Sequence, residues 1–181
     1  VLRNPLPRAV SEYLHQAVKA KAYPSFHSLL FAELAAIKKC KTRNLQIDRG
    51  FDNQMFKCLA KFKLKKFLLS TAFYAYFISA WLRKFPVEQN LFLDYEKFKL
   101  NPQYTVEQIS SFLGLAPAPL LNYTWKYNKA NTRDGKARAK RTEIRFTANE
   151  LKIIRMEILP YVEGMYDLIK NDFGWRLDSL E

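Results

Sequence analysis

The chain has 181 residues, 49% of them apolar, and its 30 Lys and Arg outnumber 17 Asp and Glu to give a formal net charge of +13. That length and apolar content suit a single domain with an ordinary core and exclude a disordered polar chain. The charge calls for an anionic partner, whether nucleotide, acidic polysaccharide, nucleic acid or lipid surface, without choosing among them. Cys40, Cys58, His15 and His27 form no CxxC or metal-ligand spacing, so no zinc or redox site is assembled by sequence alone. The cysteines are compatible with one disulfide or with two free thiols.

The first residues, Val1, Leu2, Arg3, Asn4 and Pro5, have neither an initiating Met nor a charged lead-in to an apolar run. They read as the end of a buried strand, with the expectation that preceding chain is missing. Pro5 and Pro7 set a turn, and Pro7 suits the first turn of a helix, where its missing N–H has no partner to lose. Val10, Leu14, Ala17 and Val18 then recur at helical spacing, predicting a helix through about Lys21. A second amphipathic segment carries Phe26, Leu29, Leu30, Leu34 and Ile37 and ends in the basic residues Lys38, Lys39, Lys41 and Arg43.

Residues 45–66, with a loop-like stretch around Gly50 and the cations Lys61, Lys63, Lys65 and Lys66, are expected to be irregular and exposed. Residues 67–82 lack formal charge, but they fall short of the roughly 20 residues a helix needs to cross a bilayer and include Ser70, Thr71 and Ser79. The expectation is one internal helix with Phe73, Phe77 and Trp81 packed beneath a sheet. Residues 90–95 fit a short buried parallel strand. Thr105 with Gln108 forms a capping-box pattern for a helix that Gly114 stops. Thr147 with Glu150 forms another, flanked by Phe146 and Leu151 as a staple, for a helix expected to break or kink near Pro160. A last apolar segment closes at Gly174 and Trp175. Residues 126–145 read as a mobile basic loop, and the whole as an α/β class with an incomplete sheet.

The pattern with most chemistry is Arg3-Asn4-Pro5-Leu6-Pro7-Arg8-Ala9-Val10-Ser11-Glu12-Tyr13. If Arg3 ends a strand and Ser11 lies in the first turns of the next helix, a guanidinium and a hydroxyl face one crevice. A phosphate suits such a place, because the Arg fork and helix N-terminal amides offer several donors at close range. The competing reading pairs Arg3 with a carboxylate and leaves Ser11 an ordinary exposed helix residue; periodicity alone favours it.

This pattern resembles the 3′-phosphate-binding motif of sulfotransferases that use 3′-phosphoadenosine 5′-phosphosulfate (PAPS). The similarity continues through Tyr74, Trp81, Leu82, Phe85, Pro86, Glu88 and Gln89, then Leu91, Phe92, Leu93, Asn101 and Pro102. It extends through Ile109 and Phe112-Leu113-Gly114-Leu115 to Leu151, Tyr161, Asp172 and Trp175, nearest the carbohydrate and heparan type. Residues 24–66 are the least similar part.

The resemblance implies that Arg3 and Ser11 grip the 3′-phosphate, and that a late loop adds contacts where the family has a Lys-Gly-Arg-like element. Lys136, Ala137 and Arg138 occupy that place, with Ala137 standing for the Gly and Gly135 nearby. It implies the helix-rich C-terminal portion of a P-loop-like three-layer α/β domain, with a short, incomplete parallel sheet spanning residues 1–181. The 5′-phosphosulfate loop and the catalytic base would precede Val1, so no catalytic residue is assigned and the chain alone should be inactive. The implied co-substrate is PAPS, leaving as 3′-phosphoadenosine 5′-phosphate (PAP), with no metal. The acceptor would be a hydroxyl or amine, on an anionic glycan, and a eukaryotic parent would sit in the Golgi lumen. Two other readings compete. One is a basic nucleic-acid-binding module using Phe62, Tyr74, Tyr76, Trp125 and Tyr127; the other is a membrane anchor at residues 67–82.

Overall fold

The computed structural model describes residues 1–17, 23–41, 54–116, 144–175 and 177. Its helices are α1 (Pro5–Ala17), α2 (Phe26–Cys40), α3 (Gln54–Ala60), α4 (Tyr74–Leu82), α5 (Tyr95–Leu100), α6 (Pro102–Phe112) and α7 (Ala148–Ile169). Short 3-10 turns cover Ser70–Ala72 and Val87–Gln89. Among the described residues the sheet expected from sequence is reduced to one parallel bridge between Leu2 and Asp94. The architecture that positions the site is therefore helical.

Helix α1 starts where the sequence places it. Asn4 caps it, its Oδ1 accepting from the Leu6 N–H at 3.1 Å, and both prolines fall in the first turn. Leu6, Ala9, Val10, Tyr13 and Ala17 face the core; the helix is described as far as Ala17, and the expected extension to about Lys21 lies outside the described residues. Helix α2 is capped by Ser25 and buries Phe26, Leu30, Leu34 and Ile37. It packs on both α3 and α7, while α4 lies against α7. A single core joins α1, α2, α3, the 68–78 segment and α7 to Phe173, Trp175 and Leu177. Within it Phe73 stacks on Tyr161 at 3.8 Å between ring centroids, nearly parallel.

Several local expectations are corrected. Part of the stretch expected to be irregular is helical: α3 places Met55 and Leu59 in the core, and Cys58 is joined to Cys40 by a disulfide with Cα atoms 5.7 Å apart. Residues 67–82 do not form one helix. The buried carboxylate of Glu33 accepts hydrogen bonds from the N–H groups of Leu68 (2.6 Å), Leu69 (2.9 Å) and Ser70 (2.9 Å) and from the Ser70 hydroxyl (2.6 Å). Amides claimed this way form a separate turn, and the chain restarts as α4 only after Phe73. Helix α4 then buries Ala75 and Ile78 but leaves Phe77 51% and Trp81 55% exposed, so only Phe73 of the three aromatics expected inside is there. No helix among the described residues is long and apolar enough to cross a membrane.

The α6 cap is Asn101, not Thr105. The Asn101 side chain accepts from the Tyr104 N–H at 3.1 Å with Pro102 in the first turn, and Thr105 is buried inside the helix. Gly114 ends this helix at φ +67°, a left-handed conformation that Gly adopts without steric penalty. In α7 the Thr147–Glu150 capping box is present in full. Pro160, however, does not break the helix. Proline removes the N–H that would reach the Met156 carbonyl, and Lys41 Nζ approaches that oxygen at 3.5 Å while pairing with Glu157 at 2.7 Å.

Candidate functional site

Arg3 sits at a junction of three parts of the chain. Its backbone is fixed first: the Leu2 N–H donates to the Leu93 carbonyl and the Tyr95 N–H to the Leu2 carbonyl, both at 2.7 Å. The Arg3 N–H then donates to the Tyr74 hydroxyl of α4 at 3.4 Å. The side chain is gripped at its inner end, with Nε donating to Glu96 Oε1 at 2.8 Å and the guanidinium lying over the Tyr95 ring, 4.6 Å from its centroid. The terminal nitrogens Nη1 and Nη2 make no hydrogen bond to any described residue.

The acidic side of the junction is also braced. Asp94, which caps α5, is buried; its Oδ1 accepts from the Glu96 N–H at 2.8 Å and its Oδ2 from Trp175 Nε1 at 3.2 Å. Thus the segment after α7 reaches back to the residue whose neighbours hold Arg3. Burial pushes the Tyr74 phenol above its usual pKa, while the charges of Arg8 and Arg3 nearby oppose that rise.

Ser11 is exposed on α1, beyond Arg8, and makes no hydrogen bond with Arg3. Arg8 Nη1 donates to the Thr71 hydroxyl. The carboxylate partner of Arg3 comes from α5, far away in sequence, which periodicity does not reveal. The available signal was Glu96 following an apolar extended run, since groups just past such runs collect around ligands in α/β proteins. Lys136, Ala137 and Arg138 lie outside the described residues, as do residues 126–143 of the basic loop; its last two residues are described, with Ile144 buried and the Arg145 carbonyl 2.9 Å from His27 Nε2. Among the described residues no cluster of His, Cys, Asp and Glu is gathered to hold a metal.

An Arg just before the Asn4 cap of a proline-started helix, held by Nε with its outer nitrogens available, is an arrangement suited to a phosphate ester. It occurs here in a chain that belongs to the sulfotransferase domain family, which residues 1–155 match. Among curated proteins the chain is similar to the human (Homo sapiens) heparan sulfate glucosamine 3-O-sulfotransferase 3B1, at 25% identity over 97% of this chain and 42% of that protein. It is also 23% identical to the Mus musculus heparan sulfate glucosamine 3-O-sulfotransferase 6, over 97% of this chain and 48% of that protein. Carbohydrate sulfotransferase 15 of Rattus norvegicus is 28% identical over 65% of this chain and 20% of its own length. The chain thus spans less than half the length of these relatives. No solved structure matches it significantly.

Proposed function

We propose that this chain supplies the 3′-phosphate-binding part of a PAPS-dependent carbohydrate sulfotransferase. Arg3 and Ser11 hold the 3′-phosphate of PAPS or PAP, and Lys136, Ala137 and Arg138 close over it. The observation that carries this reading is the state of Arg3. Its Nε is occupied by Glu96 and its face by Tyr95, so the side chain is pre-oriented with two outer nitrogens left for a phosphate. Sulfuryl transfer then follows the chemistry of the family. An acceptor oxygen or nitrogen attacks the sulfur in line, the bond from sulfur to the 5′-phosphate oxygen breaks, PAP leaves, and a base takes the acceptor proton. Positioning and neutralisation of the leaving phosphate dominate such catalysis.

The clamp for the 5′-phosphosulfate and the base are assigned to no residue here, so binding without turnover is the expected behaviour of these 181 residues. The parent domain is taken to be a three-layer α/β fold whose parallel sheet includes the Leu2 and Asp94 segments. An anionic glycan is the proposed acceptor, in keeping with the names of the relatives. The disulfide favours an oxidising compartment such as the Golgi lumen.

Calorimetry with PAP and with adenosine 5′-phosphate tests the reading. PAP should bind more tightly, and Arg3→Ala should weaken it about ten-fold or more, the loss expected for a charge-assisted hydrogen bond. Equal affinity for the two nucleotides would sink the proposal. Salt-sensitive DNA binding with no preference for PAP would favour a nucleic-acid module instead.

A further inference from the structure

Beside the Arg3 junction, a pocket of about 380 Å³ opens between α1 and the 64–71 segment, lined by Arg8, Glu12, Lys65, Lys66, Phe67 and Thr71. Its charges do not balance. Lys66 is paired with Glu12 at 3.3 Å, but Arg8 is bonded only to the neutral Thr71 hydroxyl, and exposed Lys65 has no ion-pair partner among the described residues. Three cations, Arg8, Lys65 and Lys66, therefore line the pocket against the single carboxylate of Glu12, whose pKa, though burial opposes it, the nearby Lys66 and Arg8 both draw down.

The far wall is built before any ligand arrives. Glu33 fixes the amides of residues 68–70 from within the core, and the Thr71 hydroxyl that Arg8 meets is itself held by donating to the Leu68 carbonyl at 3.1 Å. The Arg8 fork and the Lys65 ammonium offer donors to several oxygens of a tetrahedral oxyanion, and the Thr71 hydroxyl, its one hydrogen given to the Leu68 carbonyl, orients the Arg8 fork by accepting from it. Phe67 gives an apolar wall for the body that carries it. The volume exceeds that of one oxyanion and lies in the range of small-molecule sites.

We propose that this pocket is an anion site distinct from the one at Arg3, and that it takes a sulfate or phosphate monoester. It is independent of the donor reading, because neither Arg3 nor Ser11 lines it.

The test is an NMR titration of the ¹⁵N-labelled 181-residue chain with N-acetylglucosamine 6-sulfate, N-acetylglucosamine 6-phosphate, unmodified N-acetylglucosamine and PAP. Saturable shifts of amides at Arg8 and residues 64–71 are expected with the sugar esters and none with the unmodified sugar. Lys65→Glu should raise the ester Kd about ten-fold or more by placing a like charge against the oxyanion. Lys61→Glu, an exposed reversal outside the pocket, should change it less than about two-fold, because solvent screens charges at that remove. If PAP shifts the same amides and loses affinity with Lys65→Glu, the monoester belongs to the nucleotide; if only the sugar esters do, it belongs to the acceptor. Both outcomes support the pocket. Shifts that never saturate, or equal weakening by Lys65→Glu and Lys61→Glu, would overturn it in favour of diffuse charge attraction. Arg3→Ala separates the two proposals: it should weaken PAP binding at the donor site about ten-fold or more while leaving sugar-ester binding intact.

Discussion

Glu33 and Ser70 are joined twice, the Oε1 atom of Glu33 accepting both the Ser70 backbone N–H at 2.9 Å and its hydroxyl at 2.6 Å. The other oxygen of the same carboxylate serves Leu68 and Leu69. One fully buried side chain on α2 thereby replaces the capping groups that the turn before α4 lacks, and through that turn it places Thr71 and Tyr74 against Arg8 and Arg3.

Glu33→Ala should cost about 3 kcal/mol, because it strands several buried donors at once. Glu33→Gln, which retains one acceptor oxygen, should cost less. Urea denaturation of the three proteins gives the comparison; an alanine variant within about 0.5 kcal/mol of the parent, the range of ordinary surface changes, would show that water or rearrangement replaces the carboxylate.

The Arg3–Glu96 pair yields a prediction of opposite signs. Glu96→Gln keeps an acceptor for Nε but removes a negative charge beside the proposed phosphate, so PAP should bind roughly three-fold more tightly, a modest gain expected for a solvated charge. Glu96→Ala releases the side chain and should weaken PAP binding, since ordering must then be supplied on association. Calorimetry at fixed ionic strength distinguishes the two. Identical effects of both substitutions would mean that Glu96 acts by charge alone.

The Cys40–Cys58 bridge closes a loop with a sequence separation of 18. Constraint of the unfolded chain by a loop of that size is worth about 3 kcal/mol. Reduction with dithiothreitol should lower Tm, and the Cys40→Ser/Cys58→Ser double variant should start from the lowered value and show no response to reductant. A reductant-sensitive double variant would place the effect elsewhere.

Lys41 and Pro160 should be coupled. In the parent, Lys41→Ala removes the ammonium from Met156 and Glu157 at the proline position and should cost roughly 1–2 kcal/mol. In a Pro160→Ala background the restored N–H serves the Met156 carbonyl, so the same substitution should cost about 0.5–1 kcal/mol less. Additive effects in the double-variant cycle would show that Lys41 acts only through its pairing with Glu157.

Where a group and its partner lie within one helical turn, residue order was mostly sufficient, the exception being the Thr105–Gln108 pattern, which the nearby Asn101 pre-empts as the cap of α6. The Thr147–Glu150 box, the Gly114 stop and the proline-led start of α1 are all satisfied over such distances, and each was legible. The Arg3 to Ser11 motif likewise placed the chain in its family before any coordinates. Sequence periodicity failed where the deciding partner is remote. The uncharged run of residues 67–82 reads as one helix until Glu33 takes three of its amides, and Pro160 reads as a break until Lys41 arrives at the freed carbonyl. Arg3 acquires Glu96, Tyr95 and the brace from Trp175 only when α5 and the segment after α7 fold against the first residues. Hydrogen bonds and ion pairs act over a few ångströms, so which groups fall within that reach is decided by the packing of distant elements, not by their order along the chain.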